Sequence, residues 1–367
     1  MTAVHQFVPA LVPRDATGSH TLLLRQALRR HGWSSEIFAE ATHDELAGQS
    51  LPFEEYRRRA APGDVLVYQF ATSSAVGDFL AERPEPLVLD YHNVTRPELF
   101  CGWDAEPARR SAEALRQLAR LAPQAALGLA VSAYNLADLR RAGCRRTAVV
   151  PVLVDLDRLA VPADERVAAR LEEAKEAGGS DWLFVGRVVP PKAQHDVVKA
   201  LWAYRRLYDP RARLHLVGAT PSPRYLSALR SFATDLGLDG AVRFAGEVTD
   251  AALAAFYAAA DVYVSASRHE GFGIPLLEAM RAGIPVVAVA AAAVPATVGA
   301  AGVVVARAEP SRLAAAVHRV LADGALAARL AAAGRRQVAT HGLAVSGRLT
   351  VDAIATVAGT PVAAPCG

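Results

Sequence analysis

The sequence predicts an α/β protein made of two doubly wound domains, each with a parallel sheet. Three observations predict it. Short β-branched runs alternate with amphipathic helical runs along nearly the whole chain, the signature of βαβ units. The chain has 367 residues, which at roughly 100–200 residues per domain suggests two domains. Its composition is 52% apolar and 21% charged, ordinary for packed domains and far from a disordered chain.

In the first half, Val4–Val8 reads as a strand and Thr21–Arg30 as a helix with Leu24, Ala27 and Leu28 on one face. Val65–Tyr68 and Leu87–Asp90 read as strands, and Ala105–Leu121 as a long helix that stops before Pro123. Leu127–Val131 is a strand, followed by a helix to Ala142 and the strand Thr147–Val150. The charged stretch at about 155–180, from Asp155-Leu156-Asp157-Arg158 to Gly178-Gly179-Ser180, reads as the connection between domains. In the second half the strands are Leu183–Val185, Leu214–Val217, Val242–Phe244, Val262–Val264, Val286–Val289 and Val303–Val305, with helices between them. After Glu309 the chain reads as helical, apart from a polar tail. The expected boundaries are 1–165 for the first domain, 166–345 for the second, and 346–367 for a C-terminal helix and tail that packs back on the first.

Charge and cysteine usage exclude several classes. Forty basic residues against 37 acidic give a net charge of +3, too balanced for non-specific nucleic-acid binding. Cys101, Cys144 and Cys366 are far apart and odd in number, so no disulfide framework or C-x-x-C zinc pattern exists, as fits a reducing cytoplasm. Met1-Thr2-Ala3-Val4-His5 has no signal-peptide character. The uncharged stretch Gly283–Ala306 is long enough to cross a bilayer, but Pro285, Pro295, Gly299 and Gly302 break it into two buried strands with a short connection.

The most informative stretch runs Ser265-Ala266-Ser267-Arg268-His269-Glu270-Gly271-Phe272-Gly273-Ile274-Pro275-Leu276-Leu277-Glu278. It follows a strand. Gly271 and Gly273 permit a tight turn and close approach of a ligand, and Pro275 suits a helix's first turn. Free amides and a positive helix end then make a phosphate site. Glu278 lies about 5 Å further along that helix, where a carboxylate can accept from the adjacent hydroxyls of a ribose. Glu270, just before the helix, is placed for a sugar. An ordinary strand–turn–helix with solvated glutamates is the bland alternative. The stretch is not a dinucleotide fingerprint, because Leu276 stands where a third glycine would be. A second motif, Trp182-Leu183-Phe184-Val185-Gly186-Arg187-Val188-Val189-Pro190-Pro191-Lys192, is a buried strand ending in a glycine turn and two cations. Arg187 offers a fork and Lys192 a point charge, which suits a diphosphate; a solvated basic loop is the common alternative. Lys192 is one of only three lysines, with Lys175 and Lys199.

Together these motifs resemble glycosyltransferase family 4, the retaining group with the GT-B fold. The resemblance rests on Gly186-Arg187…Lys192, on Glu270-Gly271-Phe272-Gly273-Ile274-Pro275…Glu278-Ala279-Met280 with its E-x7-E pair, and on Arg281-Ala282-Gly283-Ile284-Pro285. It is strong over about 180–306 and weaker before. It implies two Rossmann-like domains facing a cleft and the transfer of a hexosyl group from a nucleotide-diphosphate sugar, UDP- or GDP-linked, to a hydroxyl. The acceptor would be a surface polysaccharide, a lipid-linked intermediate or a small molecule such as an aminoglycoside core. It implies that Arg187 and Lys192 hold the donor diphosphate, that Gly186, Gly271, Phe272, Gly273 and Ile274 give backbone contacts, that Glu270 meets a sugar hydroxyl and Glu278 the ribose, and that Val248, beside Glu247, lines the base pocket.

In the first half, Gly18 stands in the loop that family members place near the donor phosphates, though many have two glycines there. His92 follows the strand Leu87–Asp90 where members carry a histidine near the transferring sugar; a loop histidine satisfied by backbone is the alternative. The catalytic set implied is His92, Arg187, Lys192 and Glu270. Ala296 stands where the family often has glutamate, after the run Ala290–Ala293.

No cofactor and no metal are expected, since Asp155-Leu156-Asp157 reads as linker and the cations serve in place of a divalent ion. A cytoplasmic enzyme is expected, with contact at the inner face of a membrane left open and Arg57-Arg58-Arg59 and Arg109-Arg110 as its candidate surface. Two other readings stand beside this one. A binding protein with the GT-B fold and no activity is disfavoured by the intact Arg187, Lys192, Glu270 and Glu278. A nicotinamide-dependent oxidoreductase is disfavoured by the missing G-x-G-x-x-G.

Overall fold

Two all-parallel sheets carry the fold in a computed structural model that describes residues 3–358. The first contains β1 (Val4–Leu11), β2 (Ile37–Thr42), β3 (Leu51–Pro52), β4 (Val65–Phe70), β5 (Leu87–Tyr91), β6 (Leu127–Ala130) and β7 (Thr147–Val149). Its order is β3-β2-β1-β4-β5-β6-β7. The second contains β8 (Asp181–Val185), β9 (Arg213–Val217), β10 (Val242–Gly246), β11 (Val262–Ser265), β12 (Val286–Val289) and β13 (Gly302–Val305), in the order β10-β9-β8-β11-β12-β13. Both are doubly wound: the order reverses between β1 and β4, and again between β8 and β11. Ligands bind such sheets at the carboxyl ends of the strands beside that reversal.

The sequence explains why each sheet is buried on both faces. In β4, Leu66, Tyr68 and Phe70 pack with Phe7, Leu89 and Tyr91 on one side. Val65 and Val67 pack on the other with Val4, Val88, Leu127, Leu129, Leu24 and Leu28. That period of two, apolar on both phases, is what helix-covered parallel strands require. In the second unit Trp182, Phe184, Leu214, Leu216, Val262 and Val264 form the centre of one core.

The chain divides into two compact units. One holds 3–97, 106–154 and 341–358; the other holds 98–105 and 155–340. In that division the switch falls at 154/155, with 155–165 in the second unit. The reason is Arg158, whose guanidinium pairs with Asp250 and Glu278 and so ties 155–160 to the second unit. The stretch Glu98–Ala105 also belongs there: Trp103 meets Tyr225 edge-on, and Asp104 accepts from the Ser222 hydroxyl at 2.5 Å. The last helix, Leu343–Ala358, sits in the first unit, with Val351, Ile354 and Ala355 buried beside Leu24 and Leu28. The polar tail, with Cys366, lies outside the described residues, as do Met1 and Thr2. Among the described residues neither Cys101 nor Cys144 takes part in a disulfide. Gly283–Ala306 contains β12, the short helix Val294–Val298 and β13, and no described helix is long and apolar enough to cross a membrane.

Most predicted elements lie within a residue or two of their observed ends, and the first helix starts earlier, at Ala16, under an Asp15 cap. The sequence reading has no counterpart for β2, β3 or the helix Ala75–Ala81. β2 is buried only over Ile37–Ala39 and carries Glu40 at its exposed end, so its apolar run is too short to stand out.

Candidate active site

The site of the second unit grows from β8 and β11, the two strands beside its reversal. Gly186, after β8, has φ +150°, and Gly218, after β9, has φ +141°. A Cβ on Gly218 would stand 2.3 Å from the Gly186 carbonyl oxygen, so this crossing accepts only glycine at 218. The Tyr263 hydroxyl, from β11, donates to the Val185 carbonyl at 3.1 Å and holds the end of β8.

The chain then presents its cations. Arg187 is exposed, and among the described residues no side chain meets its guanidinium. Lys192 lies at the end of the 3-10 turn Pro190–Lys192, ahead of the helix Gln194–Leu207. The loop after β11 is pinned against that turn: Arg268 N–H donates to the Pro191 carbonyl at 2.9 Å, and its guanidinium reaches Asp196 at 3.1 Å. This brings Lys192 Nζ within 2.5 Å of Glu270 Oε1. The same loop is held from behind, where Ala293 N–H donates to the Glu270 carbonyl (3.1 Å) and the Thr297 hydroxyl to the Phe272 carbonyl (2.6 Å).

Gly273 takes a left-handed conformation, φ +93°, and the helix Ile274–Arg281 begins directly after it with Pro275 in its first turn. That turn contains no acidic residue and no side-chain cap, so its positive end is uncompensated. Glu278 lies one turn in and is buried. Its carboxylate is already held from two sides: Arg158 Nη2 donates to Oε1 at 2.6 Å and the Tyr257 hydroxyl to Oε2 at 2.8 Å. Burial, then the adjacent Glu278 charge, pushes the Tyr257 hydroxyl well above the usual phenol range, so it stays a donor. Burial disfavours the Arg158 charge, but Glu278 outweighs it and Arg158 is raised overall. Val248 is partly buried between β10 and the helix Asp250–Ala259.

Two predicted site residues lie in the first unit. Gly18 is fixed by its backbone: a Cβ would meet the Val12 carbonyl oxygen at 2.5 Å, and its N–H donates to the Asp15 carboxylate at 3.1 Å. That amide is therefore occupied by a carboxylate in the described protein. His92 follows β5, with its Nε2 at 2.6 Å from Gln69 Oε1, and burial pushes its ring down to about 4 despite the nearby Asp90. His92 is therefore neutral at physiological pH.

The sequence reading passed over Arg158 and Tyr257, and over the buried pair His20–Asp90 behind His92, whose Nε2 and Oδ2 are 3.0 Å apart. Asp155-Leu156-Asp157 itself makes no carboxylate cluster: Asp157 pairs with Arg281 on the surface. Ala296 is exposed on the helix Val294–Val298, where a glutamate would face solvent.

Residues 168–337 match the family model described as "Glycosyl transferases group 1". A D-inositol 3-phosphate glycosyltransferase of Geodermatophilus obscurus is 36% identical over 331 residues, spanning 85% of this chain and 71% of that protein. A GDP-mannose-dependent alpha-(1-6)-phosphatidylinositol monomannoside mannosyltransferase of Mycobacterium tuberculosis is 34% identical over 202 residues, 52% of this chain and 50% of that one. Among solved structures, Anabaena HepE in complex with UDP and glucose superposes with a TM-score of 0.75 at 20% identity, covering 96% of this chain and all of that one. WaaG, a glycosyltransferase involved in lipopolysaccharide biosynthesis, superposes at 0.71 with 17% identity, over 95% of this chain and 98% of that one. At those identities the two structures speak for the fold alone.

Proposed function

The chain belongs to the glycosyl transferases group 1 family and is a glycosyltransferase, and we propose that it moves a hexosyl group from a nucleotide-diphosphate sugar to a hydroxyl, with retention and without a metal ion. The observation that carries this reading is the meeting of Lys192 and Glu270 at 2.5 Å where β8 and β11 end. An ammonium for the departing diphosphate and a carboxylate for a sugar hydroxyl stand side by side. In the resting protein they neutralise each other. A bound donor separates them: phosphate oxygens take the ammonium, and Glu270 is released to accept from the sugar.

As the bond to the leaving diphosphate breaks, negative charge builds on its oxygens and positive charge on the sugar. Arg187, Lys192 and the helix start at Gly273–Pro275 oppose the first, and donors fixed in advance stabilise it without reorganisation. Glu278, held by Arg158 and Tyr257, keeps oxygen lone pairs for the ribose hydroxyls. His92 offers its ring to a carbohydrate hydroxyl. The departing phosphate takes the acceptor's proton, so the new bond forms on the face from which the diphosphate leaves. The acceptor class drawn from the relatives is an inositol phosphate or inositol-containing lipid, in place of a polysaccharide or aminoglycoside.

The test is incubation with UDP- and GDP-hexoses and candidate acceptors, with and without EDTA, reading nucleotide release and the anomeric coupling of the product by NMR. Release that survives EDTA and yields the donor's own anomer supports the reading. An inverted product, or release abolished by EDTA and restored by a divalent ion, contradicts it.

A further inference from the structure

Behind His92 the first unit carries four polar side chains, each at most 1% exposed: Gln6, His20, Gln69 and Asp90. Three of them, Gln6 in β1, Gln69 in β4 and Asp90 in β5, interrupt apolar strands, where a buried amide or carboxylate is costly unless partnered. Their hydrogen bonds form a chain whose direction is set at one end. The Thr21 carbonyl can only accept, so Gln6 presents its Nε2 there, at 3.1 Å. The Gln6 Oε1 therefore faces Gln69, which donates its Nε2 at 3.0 Å. Gln69 Oε1 then faces His92 Nε2 at 2.6 Å and can only accept, so the ring proton is on Nε2. Among the described residues no partner meets His92 Nδ1.

His20 is fixed in the same way from a second backbone group. Leu153 N–H donates to His20 Nδ1 at 2.9 Å, which puts that ring's proton on Nε2, donated to Asp90 Oδ2 at 3.0 Å. His20, Asp90 and His92 lie close enough together to suggest a metal-ligand set. Yet both rings turn a protonated nitrogen toward the cluster, and a protonated nitrogen has no lone pair for a metal. The group is a positioning network.

We propose that Gln69, fixed through Gln6 by the Thr21 carbonyl, is a positioning residue that holds His92 as the Nε2–H tautomer, so that Nδ1 is the hydrogen-bond acceptor offered to a carbohydrate hydroxyl. This rests on the reading of His92 as a substrate-facing residue. The ring's neutrality follows from burial: Asp90 and Asp15 favour its cation and His20 opposes it, but desolvation prevails. A neutral ring with a fixed Nδ1 lone pair accepts a hydrogen bond from a hydroxyl O–H; the other tautomer would present an N–H there and donate to the hydroxyl oxygen instead.

The experiment uses the full chain with 15N-labelled histidine. Two-bond 1H–15N correlations show which ring nitrogen carries the proton, and the His92 signals are identified by their loss in His92→Gln. The wild-type ring is expected to be protonated at Nε2 alone at pH 7. Gln69→Leu is expected to give Nδ1–H or a mixture and to lower kcat about tenfold, the value of one lost hydrogen bond. Its affinity for a nucleoside diphosphate stays within twofold, because that site lies in the other unit. A merely structural role for Gln69 would lower the folded fraction without moving the tautomer. An Nδ1–H ring in the wild type, or Gln69→Leu retaining both Nε2–H and full kcat, overturns the proposal. Full activity of His92→Gln would overturn the substrate-facing reading instead, since the wild-type tautomer is measured without reference to activity.

Discussion

Replacing Arg158 with methionine removes the guanidinium from Glu278 while keeping most of the side chain's length. Glu278 has a side-chain exposure of 3%, and Arg158 one of 34%. Removing one partner of a fully buried ion pair costs about 3–5 kcal/mol, but solvent reaches the Arg158 side and screens it, so the expected loss is about 1–3 kcal/mol. Tyr257 still serves Oε2, which limits the damage, and the Asp250 partner is exposed and contributes little. For a unit of this size each kcal/mol shifts the melting midpoint by about 2–4 °C. The variant should therefore melt several degrees lower. It should also bind a nucleoside diphosphate about tenfold more weakly, with less preference over the 2′-deoxy analogue, because the carboxylate is no longer held for the ribose. Calorimetric titration with both nucleotides, in Arg158→Met, Glu278→Gln and the double variant, reads this directly. If Arg158 acts through Glu278, the double variant binds no worse than Glu278→Gln. Additive losses, or an Arg158→Met protein with unchanged midpoint and affinity, would refute the reasoning.

Lys192→Ala should lower kcat about 10²–10³-fold, the usual result of removing one charge-stabilising donor. Its midpoint should barely move, since a part-exposed pair contributes about 1 kcal/mol or less; steady-state rates beside a melting curve check both. Asp181 accepts from the Arg213 fork at 2.8 and 2.6 Å and lies 2.9 Å from His215 Nε2. Burial would raise its carboxyl, but those partners outweigh it and hold it at about 2, below its ordinary 3.8. Its stabilisation is thus present above pH ~4 and lost as pH falls toward 2. Asp181→Asn should cost about 3–5 kcal/mol at pH 7 by leaving Arg213 unpaired, with the gap to wild type closing in acid, as denaturant melts at several pH values would show. Gly218→Ala should cost about 3 kcal/mol or more, since its methyl group would strike the Gly186 carbonyl. Gly246→Ala, with φ +71° and open space around it, should cost only about 1 kcal/mol.

What the sequence disclosed, and what it hid, has a physical pattern. In the second unit Trp182–Val185, Val262–Val264, Val286–Val289 and Val303–Val305 are uninterrupted apolar runs, so both their positions and the loops that follow them stand out. Arg187 and Lys192 follow β8, and Glu270 and Glu278 follow β11, in the loop and first helical turns after each strand, where short-range spacing suffices to group them. Arg158 was hidden because it acts across 120 residues of chain and lies in a charged stretch with no periodicity. Tyr257 left a faint trace, a hydroxyl-bearing ring in a helix otherwise composed mostly of alanine. Gln6 and Gln69 left a clearer one: single amides in the apolar runs Val4–Leu11 and Val65–Phe70, which doubly wound topology makes neighbours. Two buried amides in adjacent strands need each other, or a third group, and here the third group is His92. The 154/155 switch was hidden for the same reason as Arg158, because a charged segment reads as a linker until its ion partners are known.

The central claim, a diphosphate-sugar site built on Lys192, Glu270 and Glu278, is tested most directly by thermal shift of the pure protein with UDP, GDP, ADP and dTDP, with and without EDTA. A nucleotide at a hundred times its dissociation constant adds about 2.7 kcal/mol, enough to raise the midpoint by several degrees. The account predicts such a rise for one nucleotide, unchanged by EDTA and lost in Lys192→Ala. A folded sample that none of the four shifts, or a shift that Lys192→Ala retains in full, would contradict it.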